Sequence, residues 1–176
     1  MKEPVKAIVI GLLVCFGIIS LYVNNYNKEY FISDSIRDTE TVLEERLGTD
    51  ITVRTSKVTD DKIHFVFTIG ETVGSGELSL GWNHKYKLEY FGHGTNWIRE
   101  RIIESKSGQF LKLAGRNDEN IGSIRAFIDH EVYNVNIPDK EYYVVMIPVK
   151  ETKREFTSAM IVYDREGKEI ERKNSS

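Results

Sequence analysis

Three patterns of apolar and polar positions follow one another along the chain. From Ala7 to Val23 the residues read Ala-Ile-Val-Ile-Gly-Leu-Leu-Val-Cys-Phe-Gly-Ile-Ile-Ser-Leu-Tyr-Val, without a charge. At 1.5 Å of rise per residue, this run makes a helix of about 25 Å, at the short end of what spans a hydrocarbon core. From Ser33 to Gly48 the spacing is helical. Ile32, Ile36, Leu43 and Leu47 fall near one stripe, with Thr39 filling its gap, and Asp38, Glu40, Glu44, Glu45 and Arg46 take the remaining surface. Ser33 or Asp34 offers a short side-chain oxygen to start the helix, and Gly48 offers the left-handed conformation that ends it.

Beyond Gly48 the period shortens to two. The strands predicted are Ile51–Ser56, Ile63–Ile69, Glu77–Leu80, Lys85–Phe91, Trp97–Glu104, Gln109–Ala114, Ile121–Ile128, Val132–Ile137, Glu141–Val149, Ser158–Tyr163 and Lys168–Arg172. In the second of these, Ile63, Phe65, Phe67 and Ile69 share one face and His64, Val66 and Thr68 the other. Thr59-Asp60-Asp61, Ser105-Lys106-Ser107-Gly108, Asp129-His130-Glu131 and Asp164-Arg165-Glu166-Gly167 read as turns. Glu141–Val149 is apolar on both faces, which predicts a central strand. The fold expected is mainly β (α+β): an N-terminal transmembrane helix, one amphipathic helix, then an antiparallel β-sandwich or curled sheet.

Charge placement orients the first helix. Lys2 and Lys6 precede the apolar run, and Tyr22 and Tyr26 fall where amphipathic rings favour the headgroup region. Retention of positive charge inside then predicts a cytoplasmic head at 1–6, a single-pass anchor in the cytoplasmic membrane at 7–23, a short polar linker at 24–32 and an extracytoplasmic β-rich domain at 33–173. Three other readings compete. A cleaved signal peptide wants small residues before its cut; Ile18-Ile19-Ser20 fits loosely, yet the apolar run continues through Val23. A lipoprotein would want Cys15 behind a small residue and ahead of polar sequence, but Val14 precedes it and Phe16-Gly17-Ile18-Ile19 follows. A buried core helix would carry charge on a wet face, and this run has none.

Composition narrows the classes. With 176 residues, what remains beyond the anchor suits one domain with its own core. A net charge of -3 gives no basic field for a phosphate backbone, so nucleic acid is not an expected partner. Cys15, the single cysteine, lies in the apolar run, so neither an internal disulfide nor a cysteine zinc site is available to the domain.

Val73-Gly74-Ser75-Gly76, Leu80-Gly81-Trp82-Asn83-His84-Lys85-Tyr86-Lys87-Leu88, Ser107-Gly108-Gln109-Phe110, Gly115-Arg116-Asn117 and Ile137-Pro138 form a further pattern. In their spacing these segments resemble a group of small single-span, membrane-anchored β-domain proteins of Gram-positive bacteria. Leu80 stands where that pattern has lysine, and Trp82 follows the glycine. The resemblance implies the topology and carries no activity.

Candidate chemistry is sparse. His84 and His93 approach one another only if the strand between them folds back, and neither His64 nor His130 is spaced to complete a zinc shell. Gly70 to Gly76 is glycine-rich but leads into a strand, not the helix a phosphate loop needs, so a bulged hairpin loop is expected. Asn117-Asp118-Glu119-Asn120-Ile121-Gly122 echoes a calcium loop without the clamping carboxylate, so a polar turn is expected. Gly74-Ser75-Gly76 lacks the spacers of a nucleophile elbow. The candidate partner-binding residues are Trp97, Arg99 and Arg101. If Ile98 and Ile102 face the core, period two displays a tryptophan and two guanidiniums together, a combination suited to an anionic or protein partner. The expected function is therefore a membrane-anchored extracytoplasmic accessory or interaction module, binding an envelope protein or an anionic wall polymer. No cofactor, metal or catalytic set is implied. The alternative is a hydrolase or ligand sensor whose site is assembled from scattered residues, for which a polar pocket joining His84, His93 and carboxylates would be the sign.

Overall fold

A computed structural model describes residues 3–174, so Lys2 of the expected basic head lies outside the described residues. The first helix, α1 (Glu3–Glu29), outruns the apolar segment. Asn24 to Glu29, expected as slack, continue it, because nothing there is a glycine or proline that would break a helix. Directly after it, Ile32 is buried and pairs with Tyr86 through both backbone groups. The expected linker at 24–32 is thus the end of a helix and the start of the fold. Among the described residues one helix, Ile8–Glu29, is long and apolar enough to cross a membrane, and none of its apolar stretch is buried within the chain.

The helix end is docked. Tyr26 and Tyr30 stack at 4.3 Å, and the Trp82 ring lies 4.9 Å from that of Tyr26. Trp82 N donates to Tyr26 Oη at 2.9 Å, and Asn83 Nδ2 donates to Asn27 Oδ1 and to the Tyr30 carbonyl. Gly81 makes this approach feasible, since a Cβ there would sit 2.5 Å from Tyr26 Oη and from the Tyr30 ring. Gly81→Ala should therefore push α1 off the domain, at an overpacking cost of about 1–3 kcal/mol. Trypsin cleavage at Lys28 of the detergent-solubilised chain should accelerate while the sheets keep their protection. Unchanged cleavage would mean the docking is not held by this contact.

The second helix, α2 (Ile36–Leu47), starts later than expected. Its cap is Ser35, whose side chain accepts from Arg37 N, while Ser33 instead pairs with Asp38. Its buried stripe is Thr39, Val42 and Leu43; Ile36 points outward. Gly48 ends it in the left-handed region, donating to the Glu44 carbonyl.

The strands are β1 (Thr52–Thr59), β2 (Lys62–Ile69), β3 (Thr72–Leu80), β4 (Tyr86–Gly94), β5 (Ile98–Ser105), β6 (Gly108–Arg116), β7 (Ile121–Ile128), β8 (Glu131–Asn136), β9 (Tyr142–Pro148), β10 (Ala159–Asp164) and β11 (Glu169–Asn174). All pairings are antiparallel. They divide into three sheets, β1-β2-β3-β4, β5-β6-β9 and β11-β10-β7-β8. α2 covers the outer face of the first sheet, over Phe65, Phe67, Leu78 and Leu88. The inner face of that sheet meets the second through Val66, Val73 and Ala114. On its other face the second sheet packs Leu111, Leu113 and Tyr143 against Ile124, Val135, Met160 and Val162 of the third. The second sheet is thus a middle layer, buried on both sides. This explains β9. By hydrogen bonding it is an edge, not the central strand expected, and its two apolar faces serve two interfaces.

The glycines of β3 also differ from expectation. Gly74 and Gly76 lie in the strand, opposite Phe67 and Phe65 of β2, and not in a bulged loop. The two rings lie across them; a Cβ would come within 2.3 Å of Phe67 and 2.2 Å of Phe65. Here glycine is room for aromatic cover, not a signal for a turn.

Candidate functional site

The middle strand β6 alternates, Leu111 and Leu113 toward the third sheet and Lys112 and Ala114 toward the first. Lys112 is thereby carried into the interlayer, 2 % exposed. Register sets its neighbours. Across the second sheet, Arg101, Lys112 and Met146 form one row. Across the first, His64, Glu77 and Tyr90 form the facing row. Two like charges directly opposite one another, as Arg101 and Lys112 are, repel unless something compensates them.

Glu77 is that compensation. Its Oε1 accepts from Lys62 Nζ at 2.6 Å, and its Oε2 lies 3.6 Å from Lys112 Nζ and 3.3 Å from His64 Nδ1. The Lys112 contact is too long and the His64 contact misaligned for a hydrogen bond, so Lys112 Nζ and both His64 nitrogens are buried without a partner of that kind. Tyr90 adds its ring face, 4.5 Å from the Arg101 guanidinium and 5.8 Å from the Lys112 ammonium. Burial alone would raise the Glu77 carboxyl, but the adjacent His64, Lys62 and Lys112 outweigh it and hold it at about 2. Burial lowers both His64 and Lys112, in each case against the pull of Glu77. A carboxylate held so low is a weak general base, because effective proton acceptors titrate near the working pH.

Two cavities flank Arg101. The larger, about 550 Å³, is walled by Lys62, Glu77, Arg101 and residues 151–155. The segment 149–158 is pinned there by Gln109, which exchanges hydrogen bonds with the Thr152 backbone, by Asp129, which accepts from Thr152 and Arg154, and by a bond from Ile102 N to the Glu155 carbonyl. Its charges balance, Lys62, Arg101, Lys153 and Arg154 against Glu77, Glu104, Glu151 and Glu155. The smaller, about 200 Å³, is lined by Arg99, Arg101, Lys112 and Lys173 with one carboxylate, Glu100, and by Ser75, Tyr90 and Asn96; Lys112 and Lys173 have carboxylate partners behind the lining, Glu77 and Glu171. Glu100 is already occupied by the Thr157 hydroxyl and amide, and burial pushes its carboxyl up. Arg99 donates one bond, Nη2 to the Val73 carbonyl at 3.2 Å, and its buried Nε has none. Of the four cationic side chains lining this space, Lys112 is paired with Glu77 and Lys173 with Glu171, which leaves the two guanidiniums as its least compensated donors.

Of the residues singled out in the sequence, Arg99 and Arg101 come together in this pocket and Trp97 does not. Ile98 and Ile102 do face a core, as the alternation requires. Yet the face carrying the arginines is covered by the first sheet and only partly open. Trp97 precedes β5, so the strand's alternation does not extend to it, and its ring packs on the core between the second and third sheets. Tyr90 supplies the aromatic surface instead. His84 precedes β4 and His93 lies near its far end, more than about 20 Å apart at strand rise, so they do not meet. Both are exposed and neither lines these cavities. Asn117 is spent on the Ile121 backbone, Asp118 on Arg116 and Asn120 on Arg165, a polar turn held by its own side chains.

Glu77, Tyr90 and Lys112 went unread as site residues in the sequence, and His64 was weighed only as a zinc ligand and set aside. One signal was there: Lys112 interrupts the apolar stretch Phe110-Leu111-Lys112-Leu113-Ala114. Among comparisons with known proteins, no family model, no curated protein and no solved structure matches this chain.

Proposed function

We propose that this is a membrane-anchored extracytoplasmic interaction module, tethered by α1, that holds an anionic group of an envelope protein or wall polymer in the pocket beside Arg101. The reading is supported by one observation above all. Around about 200 Å³ the fold gathers Arg99 and Arg101, whose one lining carboxylate, Glu100, is taken by Thr157, beside Lys112, paired with Glu77, and Lys173, paired with Glu171. A cavity of that size is below the usual range of about 300–1,000 Å³ for whole small-molecule ligands. It suits one phosphate or carboxylate group of a larger partner. Arg is fitted to that task because its planar fork meets oxyanions in a bidentate way.

The test is titration of the full-length chain, in detergent, with a phosphodiester-linked polymer and with a neutral polymer of matched length. Binding should be confined to the charged polymer and should weaken with salt. Replacing Arg99 and Arg101 together by alanine should cost at least about tenfold in affinity, or about 1.4 kcal/mol. Equal binding by the double variant would remove this pocket from the proposal.

A further inference from the structure

We infer that the turn at residues 81–84 lies in the lipid headgroup layer, with the Trp82 indole inserted beside Tyr26 as a second point of membrane contact. The inference rests on the reading of α1 as a membrane anchor and adds to it a surface of the β domain.

The depth follows from the docked helix. Tyr26 lies three residues past Val23, the end of the apolar run, which places it about 4.5 Å beyond that end along the helix axis. The Trp82 ring centroid is 4.9 Å from that of Tyr26. Trp82 is therefore carried to between about 0 and 9 Å past the hydrocarbon edge, a range centred within a headgroup layer about 5–8 Å thick. The contact is not incidental, because the turn is tied to the helix by the Trp82 amide on Tyr26 Oη and by Asn83 on Asn27 and Tyr30. The polar Asn83 side chain is turned inward to make these bonds, while the indole is 60 % exposed. In water that exposure leaves a large apolar ring unburied. In a headgroup layer the same ring is at its preferred depth, as are those of Tyr22 and Tyr26. Lys28 and Lys85, both exposed, stand at the same end of the helix and suit lipid phosphates. The consequence is mechanical: a helix alone lets a domain swivel, whereas a helix plus an inserted turn fixes which face looks outward.

The test uses the native chain in vesicles of mixed phosphatidylcholine and phosphatidylglycerol. The chain has two tryptophans, so the Trp82 emission is the difference between the native chain and Trp82→Phe, an exposed position whose replacement leaves the core intact. That emission should lose most of its intensity with phospholipids brominated near the headgroup end of the acyl chain, and little with aqueous iodide. Free access to iodide with no loss to brominated lipid would overturn the inference. Cys15 separates the two readings. If it resists a membrane-impermeant maleimide until the vesicles are dissolved while Trp82 is open to iodide, only the inserted turn is wrong. If Cys15 reacts in intact vesicles, the anchor fails and the turn's insertion with it.

Discussion

Replacing Glu77 by alanine should lower the stability of the folded chain by about 3–5 kcal/mol, the range found when one partner of a buried ion pair is removed. The cost comes less from the lost attraction than from what stays behind. Lys112 is buried against its cross-strand neighbour Arg101, and Glu77 is the carboxylate beside it. A second replacement, Lys112→Met, removes the stranded charge and keeps the volume, so the double variant should recover much of the loss. Denaturant unfolding of the full chain in detergent measures both. A Glu77→Ala cost below about 1 kcal/mol would mean that water reaches Lys112 freely, because exposed pairs contribute no more than that.

The same cluster fixes an acid limb in the stability. The Glu77 carboxyl sits at about 2 in the folded chain against 4.5 for the free group. Its folded value is the lower one, so its stabilisation is complete above pH 4.5 and is lost as the pH falls toward 2. His64 adds to this in the same direction. Burial lowers it from 6.5, so below that pH the unfolded chain takes up a proton that the folded chain resists. Stability should therefore decline from about pH 6.5 downward, by up to about 1.4 kcal/mol per pH unit for each proton of difference. In Glu77→Ala the part below pH 4.5 should flatten. A steep limb persisting there would assign it to His64 or to other carboxylates.

Gly76→Ala should cost about 1–3 kcal/mol although it adds a single methyl group. Alanine is the better strand residue in isolation, because glycine loses more freedom on folding. The penalty arises because the new Cβ would stand 2.2 Å from the Phe65 ring, which must then leave its packing over β3 beneath α2. Phe65→Ala should itself cost about 3–5 kcal/mol by opening a cavity. Made together, the two should cost less than their sum, because the ring that the methyl group strikes is gone, with a coupling of about 0.5–3 kcal/mol for residues in contact. Strict additivity would show that the ring moves aside in the native chain and that the cover it gives Gly76 is not fixed. Urea midpoints for the four chains decide it.

These two clusters show why some of the site was readable and some was not. The helices and strands follow from local patterns: an uncharged apolar run, a helical stripe closed by Gly48, and period-two segments parted by turn residues. Period two also places Phe65 with Phe67 and His64 with Val66, and both pairs hold in the structure. It says nothing about whether a second sheet covers the other face. Only the second sheet's cover of that face explains why His64 is 1 % exposed. Arg99 and Arg101 were read as displayed and are half covered, while Trp97, outside the regular strand, turned to another core.

What the sequence alone determined is the membrane-length helix at the start of the chain and the mainly β succession after it. Each depends on residues only a few positions apart, where spacing and charge act directly. What the tertiary structure decided is the stacking of three sheets, and with it the burial of Lys112, the row of His64, Glu77 and Tyr90 opposite it, and the docking of α1 on Gly81. Those outcomes depend on strand register and on layers brought together across large sequence separations. There a charge in an apolar strand becomes either a surface lysine or a buried ammonium beside Glu77 according to which sheet settles over it.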